Sequence, residues 1–194
     1  MNANVHRAVK DFVRLFQAKL LPNAVLGGLA ARALGVPRPT WDVDFTVAVD
    51  REDLGSLFEQ AEELGYTVPS AYQAVWVNTV SGMPFVKLGI SIGDRSIDVD
   101  VFLAETDCLA EVIRRASTEL LDDDFRIQVV SPEDLIVLKC VSFRPRDVID
   151  IQDVLFMQGE LDRDYMRHWA DQLGVRRNLE ESLRKYDASP EERG

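Results

Sequence analysis

The sequence predicts an α/β (α+β) fold: a mixed sheet flanked by helices, followed by a small helical C-terminal region. Three observations predict it. Apolar and polar residues alternate at 41–49 and again at 96–103, which reads as two strands because side chains change sheet face at period two. Spacings of three and four between apolar residues mark helices around those strands. Beyond residue 130 only the helical spacing remains, so a core over 1–130 and a helical region over 131–194 are expected.

The elements follow in order. Val5, Val9, Phe12, Phe16 and Leu20 form one apolar face of a helix over 4–20, ended by Pro22-Asn23. Ala24-Val25-Leu26 is a short buried strand. Gly27-Gly28 opens a brief helix that Gly35 and Pro37 close. Trp41 to Val49 is the first acidic strand. A helix then starts with acids in its first turn at Asp50 to Asp53, as its dipole prefers, and ends at Gly65. Tyr66–Val68 reads as a short strand, 69–74 as a loop, and 75–80 as strand or loop. Val86–Ile92 pairs with the second acidic strand, Ser96–Leu103, across a Gly93-Asp94 hairpin turn. Asp107–Ala116 is a helix, and Phe125–Val130 the last strand. Ser131-Pro132-Glu133-Asp134 is a strong helix start, with Ser at the N-cap and Pro at the first helical position. Helices from Pro145, over 162–173 and over 178–186 complete the chain, and Ser189–Gly194 reads as a loose tail.

The chemistry concentrates in four places. Asp42 and Asp44 share one face of their strand, and Asp98 and Asp100 share one face of theirs. Neighbouring carboxylates repel, and a cation between them relieves the repulsion. Gly27-Gly28 before a helix lets backbone N–H groups approach a phosphate. Lys139 sits on an otherwise apolar helix side, either as a lysine snorkelling over apolar surface, whose loss would lower stability, or as a functional cation whose loss would cost little stability. Arg146 and Asp150 stand at the i,i+4 spacing of a helical ion pair. Each feature alone has a plain structural alternative: a tight turn, a solvated strand edge, a helix face. Their order and spacing, with residues 29–41 between the glycines and Asp42, lower the weight of those alternatives.

The order Gly-Gly, then Asp-x-Asp, then a further Asp on a later strand resembles the nucleotidyltransferase superfamily, of DNA polymerase β-like fold. Arg38-Pro39-Thr40-Trp41-Asp42-Val43-Asp44 is similar to the R-x-T-x-D-h-D segment of its AbiEii-like branch, where h is apolar. Glu133-Asp134-Leu135-Ile136-Val137-Leu138-Lys139 and Arg144-Pro145-Arg146-Asp147-Val148-Ile149-Asp150 resemble two downstream segments of that branch. The resemblance implies a nucleotidyltransferase-like mixed sheet and transfer of a nucleotide from a nucleoside triphosphate to an acceptor, with tRNA favoured. It implies that Asp42, Asp44 and Asp100 hold Mg²⁺, with Mn²⁺ as the alternative ion, and that Asp100 helps deprotonate the acceptor. Asp98 shares the face and is the alternative third carboxylate. Gly27, Gly28, Arg38, Thr40 and Lys139 would bind the nucleotide, and Asp150 would join the catalytic set. The related Gly-Ser form supplies a hydroxyl where this chain has Gly28. A toxin role with a cognate antitoxin partner follows from the same resemblance. Transfer to a small molecule or a protein, and a catalytically silent binding module, are the competing readings.

Composition bounds these readings. The 194 residues suit one domain with an appendage and can bury a sizeable core. No apolar run reaches the roughly 18 residues of a membrane span, and no signal-peptide pattern opens the chain, so a cytoplasmic location without membrane contact is expected. Cys108 and Cys140 read as reduced thiols. A net charge of −11 counts against a general nucleic-acid binder. Arg32 with Arg38, Arg114-Arg115 and Arg176-Arg177 are the local basic candidates.

Overall fold

The computed structural model describes residues 3–73, 75–77, 82–92 and 95–188. A seven-stranded sheet runs through it in the order β3-β4-β5-β2-β1-β7-β6. Its strands are β1 (Asn23–Val25), β2 (Val43–Val47), β3 (Trp76–Val77), β4 (Pro84–Ile92), β5 (Arg95–Leu103), β6 (Ser117–Asp122) and β7 (Phe125–Val129). The sheet is mixed. β2 runs parallel to β5 and β1 to β7, whereas the β3–β4, β4–β5, β1–β2 and β6–β7 pairs are antiparallel.

One face of the sheet is the main core. Val43, Phe45 and Val47 of β2 and Val99, Val101 and Leu103 of β5 are fully buried there. Helix α1 (Ala3–Ala18) covers this face with its apolar stripe. Phe16 meets Phe45 edge-on at 5.3 Å and Phe12 meets Tyr66 edge-on at 5.0 Å, the geometry aromatic quadrupoles prefer. Helix α3 (Leu54–Glu63) adds Leu57 and Ala61. Burying this many aliphatic and aromatic side chains, at about 1.5–3 kcal/mol each, is the main favourable term in folding.

The sequence reading of α1 requires one correction. The helix ends at Ala18, and Leu20 lies beyond it with φ of +56° and 89% exposure. Leu20 continues the helical spacing but not the helix, because the chain turns there to enter β1.

Three further differences have local causes. β2 begins at Val43, so Asp42 precedes the strand. Tyr66–Val68 contributes only a bridge, Thr67 to Gly89. β6 was not expected, because Leu120-Leu121 breaks the alternation and Leu120 is 60% exposed. The β6–β7 register shifts between Leu120 and Asp122, so a bulge hides the period. The Gly93-Asp94 turn and the tail 189–194 lie outside the described residues, as do residue 74 and 78–81 of the segments read as loop and as strand or loop.

Helices α2 (Gly27–Ala33), α4 (Asp107–Arg115), α5 (Pro132–Ser142), α6 (Pro145–Gln158), α7 (Arg163–Gln172) and α8 (Arg176–Asp187) complete the fold. Ser131 caps α5, its Oγ accepting from the Asp134 N–H at 3.2 Å, and Pro132 follows at the first helical position. Helices α5 to α8 pack on one another, and α5 also packs against α2. That last contact brings the helical region to the acidic face of the sheet. Among the described residues no helix is long and apolar enough to cross a membrane.

Candidate active site

Alternation along β2, β5 and β4 leaves Asp44, Asp100 and Lys87 on the sheet face opposite α1. The register sets them side by side: Asp44 pairs with Asp100 across the parallel β2–β5 ladder, and Lys87 pairs with Asp100 across β4–β5. Lys87 Nζ lies 2.8 Å from Asp100 Oδ1 and 3.3 Å from Asp98 Oδ2, bridging the two carboxylates of β5.

The glycine pair is explained first by these side chains. A Cβ on Gly27 would fall 1.8 Å from Asp44 Oδ2, and Gly27 has φ of +61°. Both the backbone and the neighbouring carboxylate therefore demand glycine. A Cβ on Gly28 would fall 2.8 Å from Arg38 Nη2 and 3.0 Å from Thr40 Oγ1. Arg38 and Thr40 thus lie over Gly28 while Asp44 lies over Gly27. Thr40 also donates to the Asp42 carbonyl at 3.2 Å, which shapes the approach to β2.

Electrostatically the carboxylates of this face repel. The Asp44 carboxyl is pushed up to about 7, first by burial, then by Asp100 and Asp42, against a smaller opposing pull from Lys139 and Lys87. Burial also raises Asp100, with Lys87 holding it back. Asp100 Oδ1 is buried and, despite its ion pair with Lys87, makes no well-directed hydrogen bond. Asp42 is exposed at the rim. A cleft of about 220 Å³ opens here, and Gly27, Asp44, Asp100, Phe102, Lys139 and Arg144 are among its lining residues.

Behind the cleft lies a second charged group of opposite character. Asp150, 0% exposed, accepts from Arg38 Nη1 and from Lys139 Nζ, the latter at 2.5 Å. Arg146 Nε approaches it at 3.4 Å, the i,i+4 pair that the spacing predicts. Asp147 accepts from Ser142 Oγ at 2.8 Å and from the Arg144 N–H at 3.0 Å, and lies 3.4 Å from Lys139. Lys139 is therefore not a snorkelling lysine. It is 6% exposed and ion-paired, so its removal leaves a buried carboxylate with one cation fewer, and a small stability cost is no longer expected. Asp150 does not line the cleft; its partner Lys139 does.

The sequence reading placed no weight on Lys87, Phe102 or Arg144. Lys87 was nonetheless accessible to it. A two-residue turn at 93–94 pairs Ile92 with Arg95, and counting back along both strands pairs Lys87 with Asp100. The basic candidates elsewhere are largely neutralised. Arg114 bridges Glu111, Arg115 bridges Glu133 and Asp134 while lying over the Tyr165 ring, and Arg176 bridges Asp171 and Glu180. Cys108 and Cys140 are buried free thiols, each raised to about 12 by burial, which leaves them unreactive.

Among the described residues no three His, Cys, Asp or Glu side chains gather closely enough to hold a metal by themselves. The donor set nonetheless suits a hard cation. Mg²⁺ is typically bound by one or two carboxylates together with substrate phosphates and water. Asp44 and Asp100 are two adjacent carboxylates, one with a poorly satisfied buried oxygen, and Asp42 stands beside them.

The chain is similar to a known family and to solved structures. Residues 12–192 match the model of the family described as "Nucleotidyl transferase AbiEii toxin, Type IV TA system". No curated protein sequence matches the chain. Among solved structures, the solution structure of the antibiotic-resistance factor ANT(2″)-Ia is similar at TM-score 0.58 and 17% identity, covering 96% of this chain and 100% of that one. An antigenic nucleotidyltransferase-like protein from Paracoccidioides brasiliensis is similar at TM-score 0.57 and 18% identity, covering 95% and 94%. ANT(2″)-Ia in complex with adenylyl-2″-tobramycin is similar at TM-score 0.57 and 17% identity, covering 90% and 99%.

Proposed function

The chain belongs to the AbiEii nucleotidyltransferase toxin family, and from that premise we propose that it transfers a nucleotide from a nucleoside triphosphate to the acceptor end of a tRNA, using Mg²⁺ or Mn²⁺. The observation that carries this reading is the in-register pair Asp44 and Asp100, half-buried side by side with like charge, Asp44 pressed against Gly27. Such a pair destabilises an empty site, and a bound cation removes that cost. Asp44 and Asp100 would hold the ion together with phosphate oxygens, Asp42 joining from the rim, and the ion when bound would polarise the α-phosphate and neutralise developing charge. The remaining work is positioning, which dominates phosphoryl and nucleotidyl transfer. Lys139 and Arg38, held by Asp150, stand on the glycine side as cations for the triphosphate, with Gly27, Gly28 and Thr40 beside them. Asp100, on the far side of Asp44, takes the proton of the attacking hydroxyl. The family's toxin role supports a cellular RNA acceptor and an antitoxin partner that restrains the enzyme. The division into a core over 1–130 and a helical region over 131–194 is proposed with it, the second supplying Lys139 and Asp150 to the first.

One observation favours a second acceptor class. The net charge of −11 and the acidic sheet face suit a small cationic acceptor, and the similar ANT(2″)-Ia complex holds an adenylylated tobramycin. Incubation with each α-labelled nucleoside triphosphate, Mg²⁺ and separate pools of tRNA, protein and aminoglycoside decides between them. Label in tRNA is expected. Label only in the aminoglycoside would establish the second reading, and no label in any pool with any triphosphate would remove nucleotidyl transfer itself.

A further inference from the structure

The acidic sheet face does not end at Lys87. Two residues beyond Asp100 on β5 stands Phe102, which lines the cleft. Phe85 on β4 pairs with Phe102 in register, and the two rings stack at 5.6 Å with 27° between their planes. Trp76 on β3 pairs with Phe85 in register at the sheet edge. Tyr72 links them, 5.7 Å from Phe85 and 5.6 Å from Trp76. Three neighbouring strands thus carry one aromatic row from the cleft wall to the edge of the sheet. Trp76 is 49% exposed at the outer end, and its indole N–H donates to the Ala71 carbonyl, which holds the ring in place.

The position of the row in the reaction follows from the strand order. The glycines follow β1 on one side of Asp44, and Asp100 lies on β5 on the other. In-line displacement needs the attacking oxygen opposite the leaving pyrophosphate. If the triphosphate occupies the glycine and Lys139 side, the acceptor enters over β5, β4 and β3.

We infer that Trp76, Phe85 and Phe102 form the acceptor platform of this enzyme, on which unpaired bases at the 3′ end of an RNA stack. The inference rests on the nucleotidyl-transfer reading above. Every nucleobase has a π-face, so aromatic platforms hold single strands without reading sequence. Stacking also resolves the conflict between an RNA acceptor and a net charge of −11. A stacked end needs few cations, and Arg114, Arg115 and Arg176, away from the cleft, are already engaged with acids.

Binding of a fluorescein-labelled single-stranded RNA hexanucleotide, without triphosphate, tests the platform apart from catalysis. Trp76→Leu keeps an apolar side chain but removes the ring, and should weaken binding about tenfold. Trp76→Phe should stay within about threefold of wild type. Affinity for the triphosphate, by calorimetry, and the thermal melt should be unchanged in both. Binding should fall only shallowly with salt, since few phosphate contacts are made. Equal hexanucleotide affinity in wild type and Trp76→Leu overturns the inference, as does a steep salt dependence. A blunt RNA hairpin bound as tightly as the single strand overturns it too. If wild type labels an aminoglycoside or protein and ignores the hexanucleotide, the platform fails and nucleotidyl transfer stands. If it labels nothing yet binds the hexanucleotide through Trp76, nucleotidyl transfer fails and the platform stands.

Discussion

Asp44, half-buried in the wall of the cleft, and Asp150, fully buried behind it, are two carboxylates with opposite surroundings. Asp150 is enclosed by the cations Arg38, Lys139 and Arg146, although its Oδ1, like that of Asp100, makes no well-directed hydrogen bond. Asp44 is pushed up to about 7, first by burial and then by Asp100 and Asp42, which outweigh Lys139 and Lys87. Burial of a charge is tolerated in two ways: by surrounding it with partners, or by leaving it poorly paired for a cation that arrives with the substrate.

The largest expected effect lies at Asp150. Asp150→Ala leaves Lys139 and Arg38 buried without their shared anion and should destabilise by about 3–5 kcal/mol. Asp150→Asn keeps shape and acceptor capacity and should lose less. Urea unfolding of both variants measures this, and a neutral Asp150→Ala would dissolve the contrast.

Asp44→Asn should act in the opposite direction on stability. The folded pKa of Asp44, about 7, lies above its ordinary 3.8, so the native state binds more protons between those values. Stability therefore falls as pH rises from about 4 to 7 and stays low above, at a cost of about 2–4 kcal/mol after allowing for partial exposure. Without divalent cation, Asp44→Asn should recover that amount at pH 8 and nothing at pH 4 or below. Its transfer activity should drop about a hundredfold or more. A variant no more stable than wild type at pH 8 would mean that Asp44 is not left poorly paired.

Mg²⁺ sharpens the same comparison with a smaller effect. It should stabilise wild type by about 1–3 kcal/mol at saturating concentration, more at pH 8 than at pH 5.5, where a proton competes at Asp44. The gain should vanish in Asp44→Asn and persist in a folded Asp150→Asn. Melting curves with and without Mg²⁺ read it directly.

The smallest effect is expected at Asp98, whose side chain is 53% exposed and, among the described residues, pairs with Lys87 alone. Asp98→Asn should change stability by less than about 1 kcal/mol and activity by less than about fivefold, whereas Asp100→Asn should resemble Asp44→Asn. Kinetics with the reverse ranking would move the third carboxylate to Asp98.

Much of this molecule was legible in its residues. Period-two alternation placed Asp44 and Asp100 on one kind of face, and helix starts such as Ser131-Pro132 set element boundaries. These are local signals, carried within a few residues by backbone geometry and capping. Counting across the β4–β5 turn would also have reached Lys87. β6 was lost because a bulge and two adjacent leucines erase its period.

Other features were decided only by tertiary structure. Arg38 meets Asp150 across 112 residues of sequence, and nothing local in either segment specifies the other. The same holds for Asp44 against Gly27, where a single ångström-scale contact demands the glycine. The aromatic row needs three strands in register before its rings meet. Sequence by itself determined which residues face which way, because dihedral preference and hydrophobic period act along the chain. Which charge was enclosed by cations, and which was left with like charge outweighing them, was decided when α2 packed on the sheet and α5 and α6 packed beside it, because Coulomb energies depend on distances that only packing sets.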